Sequence, residues 1–583
     1  MLRVPTIISS LALMLMTCSC GGGASSDPTP APTPEQATIS LSVIDSTDSS
    51  ITVYAKLEGA DIAYCSIGDL NAATPSLTEL RTSGKRLTAS SEVIFDNLTA
   101  GTTYKIFGVA GKESLYGDVI SISASTSGEV DYNFPDEGVK AYITTADKKK
   151  LFAELNPREK GAGDSSLGVI SLDSKTKYQT MEGFGPAITG SSAYNLLRMS
   201  DGDRDKILRA AFSPESGFGY NYIRISIGCS DFSLDEYTWC DEPGLENFAV
   251  HEYDRRDLFP ILKQILEINP NVKIIAAPWS APLWMKMPKS GSGSYDKWAG
   301  GRLNPDYYDE YAQYLVMWIQ EMNRNGFEIE SITPQNEPLH DGNSASTYMA
   351  WDHQRNFIRD HLGPAIQEAG LSTKIWIYDH NFDVPDFAIN IYKDKETSKY
   401  IDGSAWHAYG GSYTSLSKVV NAAPDKNIYF TEQSIGTWCP NFGDNLLWHI
   451  REVCLGTFSY NCRAVVLWNF MLDINRGPNR PGGCTTCYGF VDCDGTFSYS
   501  GLTYRSHWYI IGHLSKVIER GAYRIKSTSS GTTLKSCSFE NPDGTLSMVL
   551  LNDGEQSQSV VVKSSKGDFV VEAPARSVIS IIW

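Results

Sequence analysis

The chain has 583 residues, which at roughly 150 residues per domain allows three or four domains, or fewer if one is a large barrel. Its 68 acidic residues outnumber 50 basic ones, and the formal net charge of -18 with no basic block disfavours nucleic acid and favours a neutral or cationic partner. Aromatic residues make up 11%, enough to stack on flat, uncharged ligands even after core packing takes its share.

Residues 1–20 open Met-Leu-Arg, continue in an apolar run at 4–16 too short to span a bilayer, and end Thr-Cys-Ser-Cys. This is the pattern of an export signal. A cysteine at its end, followed by the Gly-, Ser- and Pro-rich residues 21–36, resembles a bacterial lipoprotein signal with a flexible linker, Cys18 or Cys20 carrying the lipid. The expected location is outside the cytoplasm: lipid-anchored at the outer membrane or cell surface, otherwise periplasmic or secreted. That lipid is the only membrane attachment expected. Ten of the twelve cysteines lie beyond this segment, and Cys484, Cys487 and Cys493 cluster. In an exported chain a disulfide or free thiols are favoured there over three zinc ligands, because no His lies nearby.

Short alternating runs at 37–43, 50–56, 92–95, 103–109 and 118–123 predict a small β-sandwich over 37–128. Its Asn-Leu-Thr-Ala-Gly-Thr-Thr-Tyr stretch at 97–104 resembles fibronectin type III domains. The segment lacks a cluster of titratable groups, so a spacer or adhesive role is expected of it. Residues 129–180 are assigned as a linker plus strands joining a later side sandwich. Eight strand-like runs follow, at 181–189, 220–228, 272–280, 329–337, 374–380, 403–409, 427–433 and 464–471, with helical patterns between them such as 257–267 and 305–324. Several are almost continuously apolar, as strands buried on both faces are. Eight such units predict a closed (β/α)8 barrel over 181–510. An open doubly wound sheet is the alternative, but no Gly-rich dinucleotide fingerprint follows the first run. Alternation returns at 546–551, 559–563, 569–572 and 577–583, predicting a C-terminal side β-sandwich over 511–583 to which residues 167–180 add a strand. The predicted fold class is therefore α/β: a (β/α)8 TIM barrel with an attached side β-sandwich, preceded by a fibronectin III/Ig-like sandwich.

Working residues in such a barrel sit at the C-terminal ends of strands. The fourth run ends Gln-Asn-Glu-Pro with Glu337, and the seventh Phe-Thr-Glu-Gln with Glu432. A single Glu is ordinarily a surface or cap carboxylate; two at the ends of apolar strands are costly without a purpose. Paired carboxyls about 5–5.5 Å apart are what a retaining glycosidase requires, one protonated to release the leaving oxygen and one ionised to attack the anomeric carbon.

Five ordered stretches carry a family resemblance: Met-Glu-Gly-Phe-Gly-Pro-Ala at 181–187, Arg-Ile-Ser-Ile-Gly-Cys-Ser-Asp-Phe-Ser at 224–233, Ala-Pro-Trp-Ser-Ala-Pro-Leu-Trp-Met-Lys at 277–286, Thr-Pro-Gln-Asn-Glu-Pro at 333–338, and Thr431-Glu432. Over residues 165–583 the chain resembles glycoside hydrolase family 30. The resemblance implies a retaining double displacement with no metal or organic cofactor, Glu337 as acid/base and Glu432 as nucleophile. It further implies Asn336 holding the sugar 2-OH or the nucleophile through its amide, Arg224 orienting the nucleophile, and Asp231, Trp279 and Trp468 around the ring, with His407 and Tyr409 lining the pocket or, for His407, buried against backbone. The Cys-Thr-Thr-Cys loop at 484–487 resembles that of bacterial members acting on β-1,6-glucan. The expected activity is thus an endo-β-1,6-glucanase with a neutral β-glucan polysaccharide or oligosaccharide as partner. The alternatives are an exo-acting β-glucosidase or glucosylceramidase-like enzyme, and a non-catalytic surface glycan-binding protein.

Overall fold

The computed structural model describes residues 37–583 apart from 48, 100, 127–133, 136–137, 344 and 481. The export signal and linker expected at 1–36 lie outside the described residues. Among the described residues, no helix is long and apolar enough to cross a membrane. The chain divides into two units, Met1–Val130 and Asp131–Trp583.

The first unit is β-rich. Strands β1 (Thr38–Ser46), β2 (Ser50–Glu58) and β5 (Ser91–Asp96) form one antiparallel sheet, and β4 (Lys85–Leu87), β3 (Ile62–Asp69), β6 (Thr103–Lys112) and β7 (Ile120–Ser125) form the body of another. Alternation decides which side chains meet between them: Ile51, Val53 and Ala55 of β2 are buried against Ala63, Cys65, Ile106 and Ala110. Strand β3 had no counterpart among the predicted runs, because Ala-Tyr-Cys-Ser-Ile-Gly has no clean period of two.

In the second unit eight parallel strands close a barrel: β11 (Gly183–Pro186), β12 (Tyr222–Ile227), β13 (Lys273–Pro278), β14 (Ile329–Ile332), β15 (Lys374–Asn381), β16 (Ile401–His407), β17 (Asn427–Glu432) and β18 (Cys462–Leu467). The pairing order is β11-β18-β17-β16-β15-β14-β13-β12. A bridge between Ala187 and Arg224, with Ile188 N–H donating to Arg224 C=O at 2.8 Å, closes the ring. All six residues of β12 are buried. Ile223, Ile225 and Ile227 face the outer helices, among them α1 (Phe259–Ile268) and α2 (Tyr308–Arg324), whereas Tyr222 points into the barrel. There Tyr222, Trp376 and Tyr429 stack, with Trp376 and Tyr429 centroids 3.6 Å apart. This aromatic plug fills the lower barrel and leaves the C-terminal mouth for polar side chains.

The side sheet has nine strands, drawn from both flanks of the barrel: β8 (Lys140–Thr145), β9 (Ala153–Leu155) and β10 (Gly168–Thr180) from before it, and β19 (Tyr523–Ser530), β20 (Lys535–Glu540), β21 (Leu546–Asn552), β22 (Gln558–Ser564), β23 (Gly567–Ala573) and β24 (Ser577–Ile582) from after it. Met548 and Leu550 of β21 enter the sheet's own core, and the alternate Val549 and Leu551 enter the core shared with the barrel. The sheet and barrel are thus joined by a continuous apolar layer rather than a hinge. Helix α3 (Ser506–Ser515) lies in that layer, His513 bonding Ser580 and Thr144 hydroxyls at 2.7 and 2.8 Å. The division drawn at 510/511 cuts this helix; its buried face runs unbroken to Leu514, so the break between barrel and side sheet falls after it.

Candidate active site

The mouth of the barrel holds a charged layer built from strand ends. Arg224 on β12 is 1% exposed and donates to Glu432 Oε2 at 2.5 Å, Asn336 Oδ1 at 2.7 Å and Asp379 Oδ2 at 2.9 Å. Its guanidinium lies 4.9 Å from the Trp279 ring centroid and 5.7 Å from that of Trp468, within reach of cation–π attraction. Asp379 is fully buried and accepts from Arg224, from His407 Nε2 at 3.0 Å, and from the hydroxyls of Thr333 and Thr431 at 2.7 Å each. Burial alone would raise its pKa; Arg224, His407 and those hydrogen bonds overcome it and hold the carboxyl ionised well below the usual range.

His407 is closed off completely and bridges two carboxylates, Nε2 to Asp379 and Nδ1 to Glu337 Oε1 at 3.1 Å. Burial opposes its charge, but Glu432, Asp379 and Glu337 outweigh burial and raise it to about 9, so at neutral pH both ring nitrogens are donors. An oxygen of Glu337, one of Glu432 and a ring nitrogen of His407 lie within 4.8 Å of one another. A cation would not be held there, because a doubly protonated imidazole offers no lone pair.

Glu337 has φ of +44°, a left-handed backbone fixed by its N–H on Asp379 C=O at 3.0 Å. Burial and the charge of Glu337 raise the Glu432 carboxyl against the pull of His407 and Arg224. Burial acts on Glu337 in the same sense, but the His407 hydrogen bond and charge hold that group low. Tyr409 Oη donates to Glu432 Oε1 at 3.0 Å and lies 2.5 Å from Ser434 Oγ.

Above the layer opens a pocket of about 420 Å³, lined among others by Asp231, Glu337, Tyr409, Glu432, Trp438 and Trp468. Its size and its mixture of aromatic and convergent polar groups suit a small polar ligand. Asp231 has its pKa raised well above normal, first by burial and then by Cys484, Glu432 and Glu337.

Two family models match: the glycosyl hydrolase family 30 TIM-barrel domain over residues 181–518, and the family's β-sandwich domain over 521–581. The chain belongs to glycosyl hydrolase family 30. It is 30% identical over 442 residues to the endo-1,6-beta-D-glucanase neg1 of Aspergillus fumigatus, covering 71% of this chain and 88% of that relative. It is also 30% identical over 479 residues to the endo-1,6-beta-D-glucanase BGN16.3 of Trichoderma harzianum, covering 77% and 93%. Among solved structures, the endo-beta1,6-glucanase BT3312 superposes with a TM-score of 0.73 at 45% identity, over 76% of this chain and 99% of that one.

Of the residues expected to work in this family 30 chain, Glu337, Glu432, Asp231, Tyr409 and Trp468 line the pocket. Asn336 lies beside Arg224, which fixes its amide oxygen and turns its NH2 away from the guanidinium. Trp279, 1% exposed, packs against the Trp468 ring at 5.1 Å. Arg224 lies beneath the carboxylates, 1% exposed, with Glu432 as one of its partners. His407 lies there too, 0% exposed, and does not line the pocket; its ring nitrogens face the carboxylates of Asp379 and Glu337 and not backbone. The cysteine cluster also separates: Cys484 and Cys487 place their sulfurs 2.6 Å apart at the pocket, whereas Cys493 turns to the Leu472 carbonyl at 3.3 Å, so three zinc ligands do not converge. Sequence reasoning missed Asp379, although the fifth run's Tyr-Asp-His ending carried the same strand-end signal as Glu337 and Glu432.

Proposed function

We propose that this chain is a retaining endo-β-1,6-glucanase acting on neutral β-1,6-glucan. The observation that carries the reading is the pair Glu337 and Glu432, with oxygens within 4.8 Å across the floor of one pocket. That separation leaves no room for the water that an inverting pair, roughly 6.5–9.5 Å apart, must hold. The linkage is supported by relatives whose names are endo-1,6-glucanases and by the resemblance of the 484–487 loop.

In the proposed reaction Glu432 attacks the anomeric carbon while Glu337 gives a proton to the departing glycosidic oxygen, leaving a glycosyl ester on Glu432. With the electrophilic carbon seated over Glu432, that group is needed as the anion and Glu337 as the proton carrier. Water activated by Glu337, now a base, hydrolyses the ester. Arg224 and Tyr409 hold the nucleophile's oxygens, and the NH2 of Asn336 meets the sugar 2-OH. Asp231 receives outer hydroxyls, and Trp468 packs on the ring. The double-displacement chemistry is complete with these side chains.

Residues 1–36 are proposed to export the chain and tether it by lipid at Cys18 or Cys20. The first unit is proposed to be a fibronectin III/Ig-like spacer, supported by its β1-β2-β5 and β4-β3-β6 sheets. Product profiling over β-1,6-, β-1,3- and β-1,4-linked glucans tests the activity. Internal cleavage of the 1,6-linked chain, abolished in Glu432→Gln, is expected; undiminished turnover by that variant, or terminal glucose as the sole product, would overturn the reading.

A further inference from the structure

The catalytic pocket is adjoined by a second cavity of about 500 Å³, and the two share Tyr409, Ser434 and Trp438 as lining residues. Trp438 is the partition. Its side chain is 54% exposed, yet it is not free to swing. The ring rests on the backbone of Gly436, where any side chain would collide with it, and Thr437 N–H anchors the segment on Thr486 C=O at 2.9 Å. Residues Ile435 and Gly436 pair with Tyr488 and Cys487. A broad apolar face is therefore held rigidly between two cavities, at little conformational cost to a ligand that stacks on it.

The lining of the second cavity is aromatic and neutral. Trp448 lines it together with Trp438, and Ala408 and Leu447 add apolar surface. At the rim, Arg576 pairs with Asp444 at 2.7 Å and Arg451 with Asp553 at 3.3 Å, so the cations and anions cancel. An uncharged ligand with flat apolar faces, as a sugar ring has, fits this lining; an anionic or cationic one has no unpaired partner among these four.

We infer that the second cavity is an accessory subsite for further glucosyl residues of the same chain, which passes from the catalytic pocket across Trp438. This rests on the β-glucanase reading above and adds to it where the rest of the polymer lies. The test is calorimetric titration of the Glu432→Gln protein with β-1,6-linked gluco-oligosaccharides of two to six units. Affinity is expected to rise at least tenfold with length. Trp438→Ala, at a position 54% exposed, is expected in the same background to cancel most of that rise, and Trp438→Phe, which keeps an aromatic face, to retain most of it. Affinity that does not change with length, or variants that weaken the disaccharide and hexasaccharide by the same factor, would overturn the subsite. Separately, wild-type protein that cleaves β-1,6-glucan while showing no length dependence would sink the subsite alone, whereas failure to cleave that polymer would sink the activity.

Discussion

The proton balance at the barrel mouth depends on His407. Its pKa is about 9 in the folded protein against 6.5 ordinarily, with burial overcome by three carboxylates. A group whose proton is held more tightly in the folded state contributes stability in full below its unfolded value and loses it as pH rises through the folded one. Denaturant midpoints are therefore expected to hold up to about pH 6.5 and to fall progressively toward pH 9 and above. His407→Gln, which cannot titrate, is expected to flatten that part of the profile, and an unchanged slope in the variant would contradict the assignment. The same residue illustrates what composition and motif reading leave out. The strand end Trp-His-Ala-Tyr identifies His407 as near the site, but only the neighbouring carboxylates from β15 and from the segment after β14 make it a buried cation rather than a pocket wall.

At the scale of elements, β15 decides the layout. Trp376 points into the barrel and Ile377 outward, so strict alternation would send Tyr378 inward and Asp379 out. Instead Tyr378 and Asp379 both take left-handed backbones, φ +74° and +63°, and the register with β16 slips between Tyr378 and His380. This bulge reverses the phase and aims Asp379 at Arg224. Period-two reading places the strand but not its bulge, and it is the bulge that turns Asp379 inward. Asp379→Asn removes one of the two anions that hold Arg224 and is expected to lower kcat on the order of 100-fold through misplacement of Glu432 and Glu337, with KM changed far less. A kcat within threefold of wild type would show that Asp379 does not organise the pair. The side sheet was legible where both faces are apolar, as in β21, and illegible in β19, whose Tyr-Arg-Ile-Lys-Ser-Thr-Ser-Ser buries Ile525 alone.

On the scale of the whole molecule, every residue of the charged layer and of both cavities belongs to the unit Asp131–Trp583. A chain lacking the first unit is therefore expected to cleave soluble β-1,6-glucan with kcat/KM within twofold of the full protein and to unfold in the same main transition. A large loss of activity on removal of residues 1–130 would mean that the first unit contributes to the site. The barrel was readable because eight largely apolar runs separated by helical patterns fit a (β/α)8 ring, while no Gly-rich fingerprint favoured an open sheet. The partition at Trp438 was not, since a lone Trp in a loop gives no periodic signal.

The claim on which the rest depends is that Glu432 carries the sugar. The direct measurement is mass spectrometry of the protein after reaction with a 2-deoxy-2-fluoro-β-glucoside bearing a good leaving group, which slows breakdown of the glycosyl ester. The account predicts one added fluoroglucosyl unit, located by peptide fragmentation on Glu432. A label on any other residue, or no label on protein that continues to release the leaving group, would contradict it.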